Sequence, residues 1–168
     1  SLFDYGRYVS INRGLATFIT SYGCPYDCTY CINKPLKEKY GAANFVRFKP
    51  VEYLMEEMLS VIRQQKIREI EFYDDTFTVH KHRLQQFCEQ YPQKIGLPFS
   101  INSRVDTLNR ETIGKLKQAG CTRISMGIET GDAVVRNTVC KRNQSDEQII
   151  EAFTLVRESG IKTLSYNM

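Results

Sequence analysis

With 168 residues, 42% of them hydrophobic and 25% charged, the chain has the size and composition of one globular domain with room for a real core. No apolar run approaches the roughly 18 residues of a membrane span, and the opening "SLFDYGRYVSINRG" lacks the basic-then-apolar layout of a signal peptide. The net charge of +4 is mild and its carriers are spread along the chain, so nucleic-acid binding is not signalled.

Residues 1–14 read as a lead-in from an upstream region, and the Ser1 start suggests a processed chain or a cut piece of a longer one. "LATFIT" from Leu15 is the first expected strand, followed by a cysteine-rich loop and by "KPLKEKY", which reads as solvated loop. Pro50 then opens a helix over "VEYLMEEMLSVIRQQ", where Val51, Leu54, Met55, Met58 and Ile62 share one face. "IREIEFY" is the second strand, "HRLQQFCEQY" the second helix and "LPFSINS" the third strand. Asn109 is placed to N-cap "RETIGKLKQA", with Leu108 and Ile113 as a hydrophobic staple and Gly120 as terminator. After the fourth strand, "TRISMGI", Ser145 and Gln148 form a capping box for "SDEQIIEAFTLVRESG", and "IKTLSYNM" begins a fifth strand.

Strands alternating with helices imply parallel βαβ units. The expected fold is therefore α/β, a partial (β/α) barrel of TIM-barrel type with mostly parallel strands, spanning residues 15–168. Five strands do not close an eight-stranded barrel, so the expectation is an excised domain that stops at about the fifth strand.

"GCPYDCTYC" places Cys24, Cys28 and Cys31 within eight residues. Disulfides suit a secreted protein, which the composition does not indicate. Structural zinc takes four ligands, and the nearest further candidates, His80 and His82, lie some fifty residues on, where "TVHKH" reads as the start of a helix. A third reading is an iron–sulfur cluster held by three thiolates, which leaves one iron open to a ligand. The loop follows the first strand, at the mouth where α/β barrels place their chemistry. Cys88, Cys121 and Cys140 stand singly, like buried thiols in a reducing compartment, and the cytoplasm is the expected location.

The motif Cys-x3-Cys-x2-Cys, with the aromatic Tyr30 before the last cysteine, resembles that of the radical S-adenosylmethionine (radical SAM) superfamily. The likeness extends from about Leu15 to Met168 and is strongest to the subgroup whose core follows a cobalamin-binding domain, including anaerobic Mg-protoporphyrin monomethyl ester oxidative cyclase-like proteins. It implies that Cys24, Cys28 and Cys31 ligate a [4Fe–4S] cluster whose open iron chelates SAM. Reductive cleavage of SAM then yields a 5′-deoxyadenosyl radical that abstracts hydrogen from a small-molecule substrate, in a methylation, oxidation or cyclisation. Cobalamin would come from a domain outside this chain, and electrons from a flavodoxin or ferredoxin.

The resemblance also assigns the strand ends. Tyr30 would sit near the adenine. "YDD", Tyr73 to Asp75, stands where the family often has Gly-Gly-Glu, so the carbonyls near Tyr73 and Asp74, with one Asp in support, would receive the SAM ammonium. The competing expectation for the aspartates is one helix cap and one solvated carboxylate. Arg104 suits a carboxylate of SAM or substrate, or else forms a surface ion pair with Asp106. Gly127 would let backbone approach a ligand, and Glu129 would reach the ribose or amino-acid end of SAM. Asp132, rather than Glu129, is the better cap for the segment after Gly131. Tyr166 and Asn167 would approach the site from the fifth strand. Because later barrel strands are absent, weak or no turnover is expected of these residues alone. The competing functions are a methylthiotransferase or other tRNA-modifying radical SAM enzyme, for which no basic appendage is present here, and a non-catalytic iron–sulfur or zinc module.

Overall fold

The computed structural model describes residues 4–43 and 45–168. Five strands, β1 (Leu15–Phe18), β4 (Glu69–Phe72), β5 (Phe99–Ser103), β6 (Cys121–Glu129) and β7 (Lys162–Asn167), form one sheet in that spatial order. Every pairing in it is parallel. Helices α3 (Val51–Gln64), α4 (Lys81–Lys94), α5 (Arg110–Gln118) and α6 (Asp146–Glu158) make the successive crossovers. Neighbours in sequence are thus neighbours in space, as a winding barrel requires and a doubly wound sheet does not. The α/β partial-barrel expectation holds.

Local signals set the helix boundaries. Asn109 accepts from Thr112 N–H at 2.8 Å, and Ser145 with Gln148 completes the capping box of α6. On α3, Val51, Leu54, Met55 and Met58 are buried, while Ile62 packs half-buried at the edge of the core. α4 runs past Pro92 to Lys94, three residues beyond its expected end. A proline in the last turn removes only one intrahelical N–H donor, so the turn survives. Phe72, Phe87, Tyr91 and Phe99 then meet largely edge to face between α4 and the sheet, with Phe72 and Phe87 centroids 5.4 Å apart at 88°.

Four elements depart from expectation. "KPLKEKY" lies in a helix, α2 (Asn33–Tyr40); Leu36 is its one aliphatic side chain besides Pro35, too few for periodicity to reveal it. A two-residue ribbon pairs β2 (Ser21–Tyr22) with β3 (Arg47–Phe48) antiparallel, too short to leave a pattern. The lead-in forms α1 (Tyr5–Ile11), capped by Asp4. The Tyr5 hydroxyl donates to Thr17 O at 3.0 Å and accepts from Thr17 N–H at 3.1 Å. That phenol occupies backbone groups on the outer side of edge strand β1. β7, the other edge, is exposed throughout.

Candidate active site

Several side chains shape the cysteine loop. Gly23 turns the chain at φ +80°, where a Cβ would lie 2.6 Å from the Phe45 carbonyl oxygen, so only glycine fits. Lys37 of α2 donates to the carbonyls of Pro25 (3.0 Å) and Tyr26 (3.2 Å) and to the Asp27 carboxylate (2.7 Å). Thr29 ties the loop to the β6–α6 connection, with its hydroxyl 2.6 Å from Val139 O and its N–H 3.3 Å from Cys140 O. All six cysteines are free thiols; Cys24 and Cys28 are buried and Cys31 is half-buried. The three loop thiols line one cavity of about 380 Å³ at the C-terminal ends of β4 to β7.

Of the residues singled out in the sequence, Tyr30, Tyr73, Asp74, Asp75, Arg104 and Glu129 line this cavity. Ser125, Gly127 and Tyr166 line it too. Asn167 does not; its amide donates to Ser165, because alternation along β7 sends Tyr166 inward and Asn167 to the other face.

Asp74 and Asp75 divide their work. Asp74 is buried, accepting from Thr20 N–H (3.1 Å), Thr20 Oγ1 (2.7 Å) and the Ser21 hydroxyl. It pins the end of β4 to the β1–β2 connection, and Asp75 is left exposed. Neither aspartate caps α4, since His80 Nδ1 does so by accepting from Arg83 N–H. His80 and His82 line a separate cavity, which removes them as further ligands for the cysteine loop.

The pairing of Arg104 with Asp106 is present but is no surface contact: Arg104 is 4% exposed. Nε reaches Asp106 Oδ1 at 2.9 Å and Nη2 reaches Oδ2 at 3.0 Å. Burial works against its cation, but the bond to and charge of Asp106 outweigh that and raise its pKa. Arg142, which no sequence signal marked, is also buried. Its Nη1 lies 3.1 Å from the Tyr30 hydroxyl and 3.5 Å from Glu129 Oε1, and Nη2 donates to the Gly127 carbonyl. Placement of Arg142 depends on the fully buried Arg136, which braces the loop through Thr130 O, Gln144 O and Asp146. A π-helical turn, Val135–Val139, and Asp132, which accepts from Val134 and Val135 N–H, complete the brace.

Glu129 ends β6 at φ +70°, a left-handed conformation uncommon for a side chain of this kind. Gly127 gives it room, since a Cβ there would sit 2.2 Å from Glu129 Oε1 and 2.9 Å from Arg142 Nη2. Burial raises the Tyr30 phenol against the opposing Arg142 charge. Burial likewise pushes the Cys24 thiol up, with hydrogen bonds from the Tyr26 backbone and Thr76 countering in part.

Parallel strands in sequential order, with a three-thiol loop opening onto a cavity at their C-terminal ends, define a barrel-type α/β protein. The Radical SAM superfamily matches residues 18–168, and the chain belongs to that superfamily, whose members bind a [4Fe–4S] cluster and SAM. It is 29% identical over 164 residues to an uncharacterized methyltransferase of Pyrococcus horikoshii, covering 97% of this chain and 34% of the relative. It is 25% identical over 159 residues to the anaerobic magnesium-protoporphyrin IX monomethyl ester cyclase of Rubrivivax gelatinosus, covering 93% of this chain and 27% of that protein. The chain thus spans about a third or less of these relatives. In fold it is similar to the cobalamin-dependent SAM radical enzyme OxsB (TM-score 0.76, 24% identity, 95% of this chain and 24% of that one). It is also similar to the radical SAM methyltransferase TsrM of Kitasatospora setae (TM-score 0.77, 18% identity, 96% and 31%).

The donor set fits a cluster. Among the described residues, no three His, Cys, Asp or Glu side chains converge as ligands of a single metal ion would. Three thiols on one short loop, lining one cavity, are the donor type an iron–sulfur cluster takes, each at a different iron. Each sulfur also has a polar neighbour: Thr76 Oγ1 at 3.8 Å from Cys24, Arg104 Nη1 at 3.5 Å from Cys28, and Asn33 Nδ2 at 3.6 Å from Cys31. Among the described residues no helix is long and apolar enough to cross a membrane.

Proposed function

We propose that the chain is the cluster- and SAM-binding core of a cobalamin-associated radical SAM enzyme that methylates, oxidises or cyclises a small molecule. The observation that carries this reading is the single cavity shared by Cys24, Cys28 and Cys31 with the ends of four neighbouring strands. A [4Fe–4S] cluster held there would supply the electron for reductive cleavage of SAM and hydrogen abstraction from substrate. Asp74 is committed to Thr20 and Ser21, so Asp75 and the nearby backbone carbonyls are the acceptors left for the SAM ammonium. Glu129 offers acceptors for hydroxyl groups beside Tyr30. Arg142 lines the cavity and keeps its Nε–H unpartnered, which suits it better than Arg104 to a ligand carboxylate.

One row across the sheet below the cavity is polar: Glu71 and Ser100 face Arg123, whose Nη2 lies 2.5 Å from Glu71 and 3.3 Å from Ser100. Such a floor favours a substrate with polar groups. A flavodoxin or ferredoxin in the cytoplasm is the reductant this reading requires, and cobalamin would belong to a domain outside these residues.

Anaerobic reconstitution tests the proposal. Expected are a visible iron–sulfur absorption, an EPR signal that changes on adding SAM, and slow dithionite-driven release of 5′-deoxyadenosine. A stable, colourless protein holding one zinc and indifferent to SAM would overturn it.

A further inference from the structure

We propose that Arg104 is a positioning residue for the sulfur of Cys28, not a clamp for a ligand carboxylate, and that it makes Cys28 the electron-poor ligand of the cluster. This rests on the reading that the three loop thiols hold a cluster.

The guanidinium of Arg104 is almost fully committed. Nε and Nη2 chelate Asp106, Nη2 also donates to Arg142 O at 2.7 Å, and Nη1 donates to Cys28 Sγ at 3.5 Å. One face of the fork lies over the Tyr26 ring, 3.7 Å from its centroid. An arginine so engaged cannot present two parallel N–H groups to an incoming carboxylate. Tyr26 lies between Cys24 and Cys28 in the loop, so the same side chain holds the loop and aims at its sulfur.

The three sulfurs differ in the charge around them. Cys24 touches the neutral Thr76 hydroxyl, with the more distant charges of Asp75 and Arg104 acting on it in opposite senses, and Cys31 touches the neutral Asn33 amide. Cys28 faces two cations, Arg104 at 3.5 Å and Arg142 Nη1 at 3.8 Å, both buried and so little screened by salt. Charged donors at a ligating thiolate withdraw electron density and stabilise the reduced cluster, which raises its potential. Asp106 works in the opposite sense, because its carboxylate partly neutralises Arg104.

Two substitutions in the reconstituted protein therefore move the potential in opposite directions. Arg104→Gln shifts the EPR-monitored midpoint to more negative values, and Asp106→Asn shifts it to more positive ones. A residue that only shaped the loop would shift both variants alike. Iron and sulfide content is measured first. A parent protein that assembles no cluster overturns the functional reading, and this inference with it. A parent that assembles one, with both midpoints unmoved or moved the same way, overturns this inference alone. If Arg104→Gln fails to assemble, Asp106→Asn decides by the sign of its shift. SAM affinity, read from the EPR change, falls by less than about tenfold in Arg104→Gln, since Arg104 also holds the Arg142 carbonyl; a loss of about a hundredfold with an unchanged midpoint would restore Arg104 as the carboxylate clamp.

Discussion

Replacing Asp74 by alanine separates a structural carboxylate from a ligand-binding one. The residue is 1% exposed and accepts three hydrogen bonds, from Thr20 N–H, Thr20 Oγ1 and the Ser21 hydroxyl. Bonds to a charged acceptor contribute about 1.5–3 kcal/mol each, though not additively. The hydroxyls can turn to other acceptors, but the buried Thr20 N–H cannot. Arg83 also loses a counter-charge. Burial lowers the pKa of that guanidinium and Asp74 opposes the shift, while Nη2 of Arg83 donates to Thr20 O at 3.3 Å. Leaving a buried cation and a buried N–H uncompensated costs about 3–5 kcal/mol. For a domain of this size that is a melting point lowered by roughly 10 °C. Urea unfolding of the cluster-free protein followed by circular dichroism reads the change directly. Asp74→Asn retains an acceptor oxygen and falls between parent and alanine variant. A loss below about 1 kcal/mol in Asp74→Ala, together with loss of the SAM-induced EPR change, would refute the structural assignment and return Asp74 to the ligand.

Burial pushes the Cys121 thiol up to about 12 from an ordinary 9.0. Above pH 9 the unfolded thiol therefore ionises while the folded one keeps its proton. Its contribution is full below pH 9 and falls toward pH 12, by up to about 1.4 kcal/mol per pH unit. Urea midpoints between pH 8.5 and pH 10.5, an interval chosen to bracket roughly the first half of that titration, fall more steeply in the parent than in Cys121→Ala; equal slopes would contradict this. Gly127→Ala forces Glu129 and Arg142 aside and lowers SAM affinity by about tenfold or more with cluster content unchanged, as iron assay and EPR would show. Ser145→Ala removes the cap of α6 and costs about 1 kcal/mol in thermal unfolding, again without loss of iron on reconstitution.

Much of this architecture was legible because its signals are local. Asn109 and Ser145 cap helices through residues three positions away, and the buried face of α3 follows from helical spacing alone. Features with no local pattern went unseen. α2 has too few apolar residues to show a face, and the β2–β3 ribbon is two residues long. The site divides in the same way. Cys24, Cys28 and Cys31 are recognisable from spacing, and the strand-end residues from following directly on an apolar run. Arg142 has neither mark, because it enters the cavity only where Arg136 folds the β6–α6 connection back onto the cysteine loop.

The sequence by itself determined the alternating strands and helices, the caps and the three-thiol loop, since each is written in residues close along the chain. Tertiary structure alone decided how those parts share charge. Asp74 meets Thr20 across 54 residues, Cys28 meets Arg104 across 76 and Arg142 across 114. Such pairs depend on sheet register and loop closure, which bring strand ends together in an order no local propensity encodes. Of two adjacent aspartates one therefore became a buried pin, and of two arginines one was spent on Asp106 and sulfur while the other kept an N–H to spare.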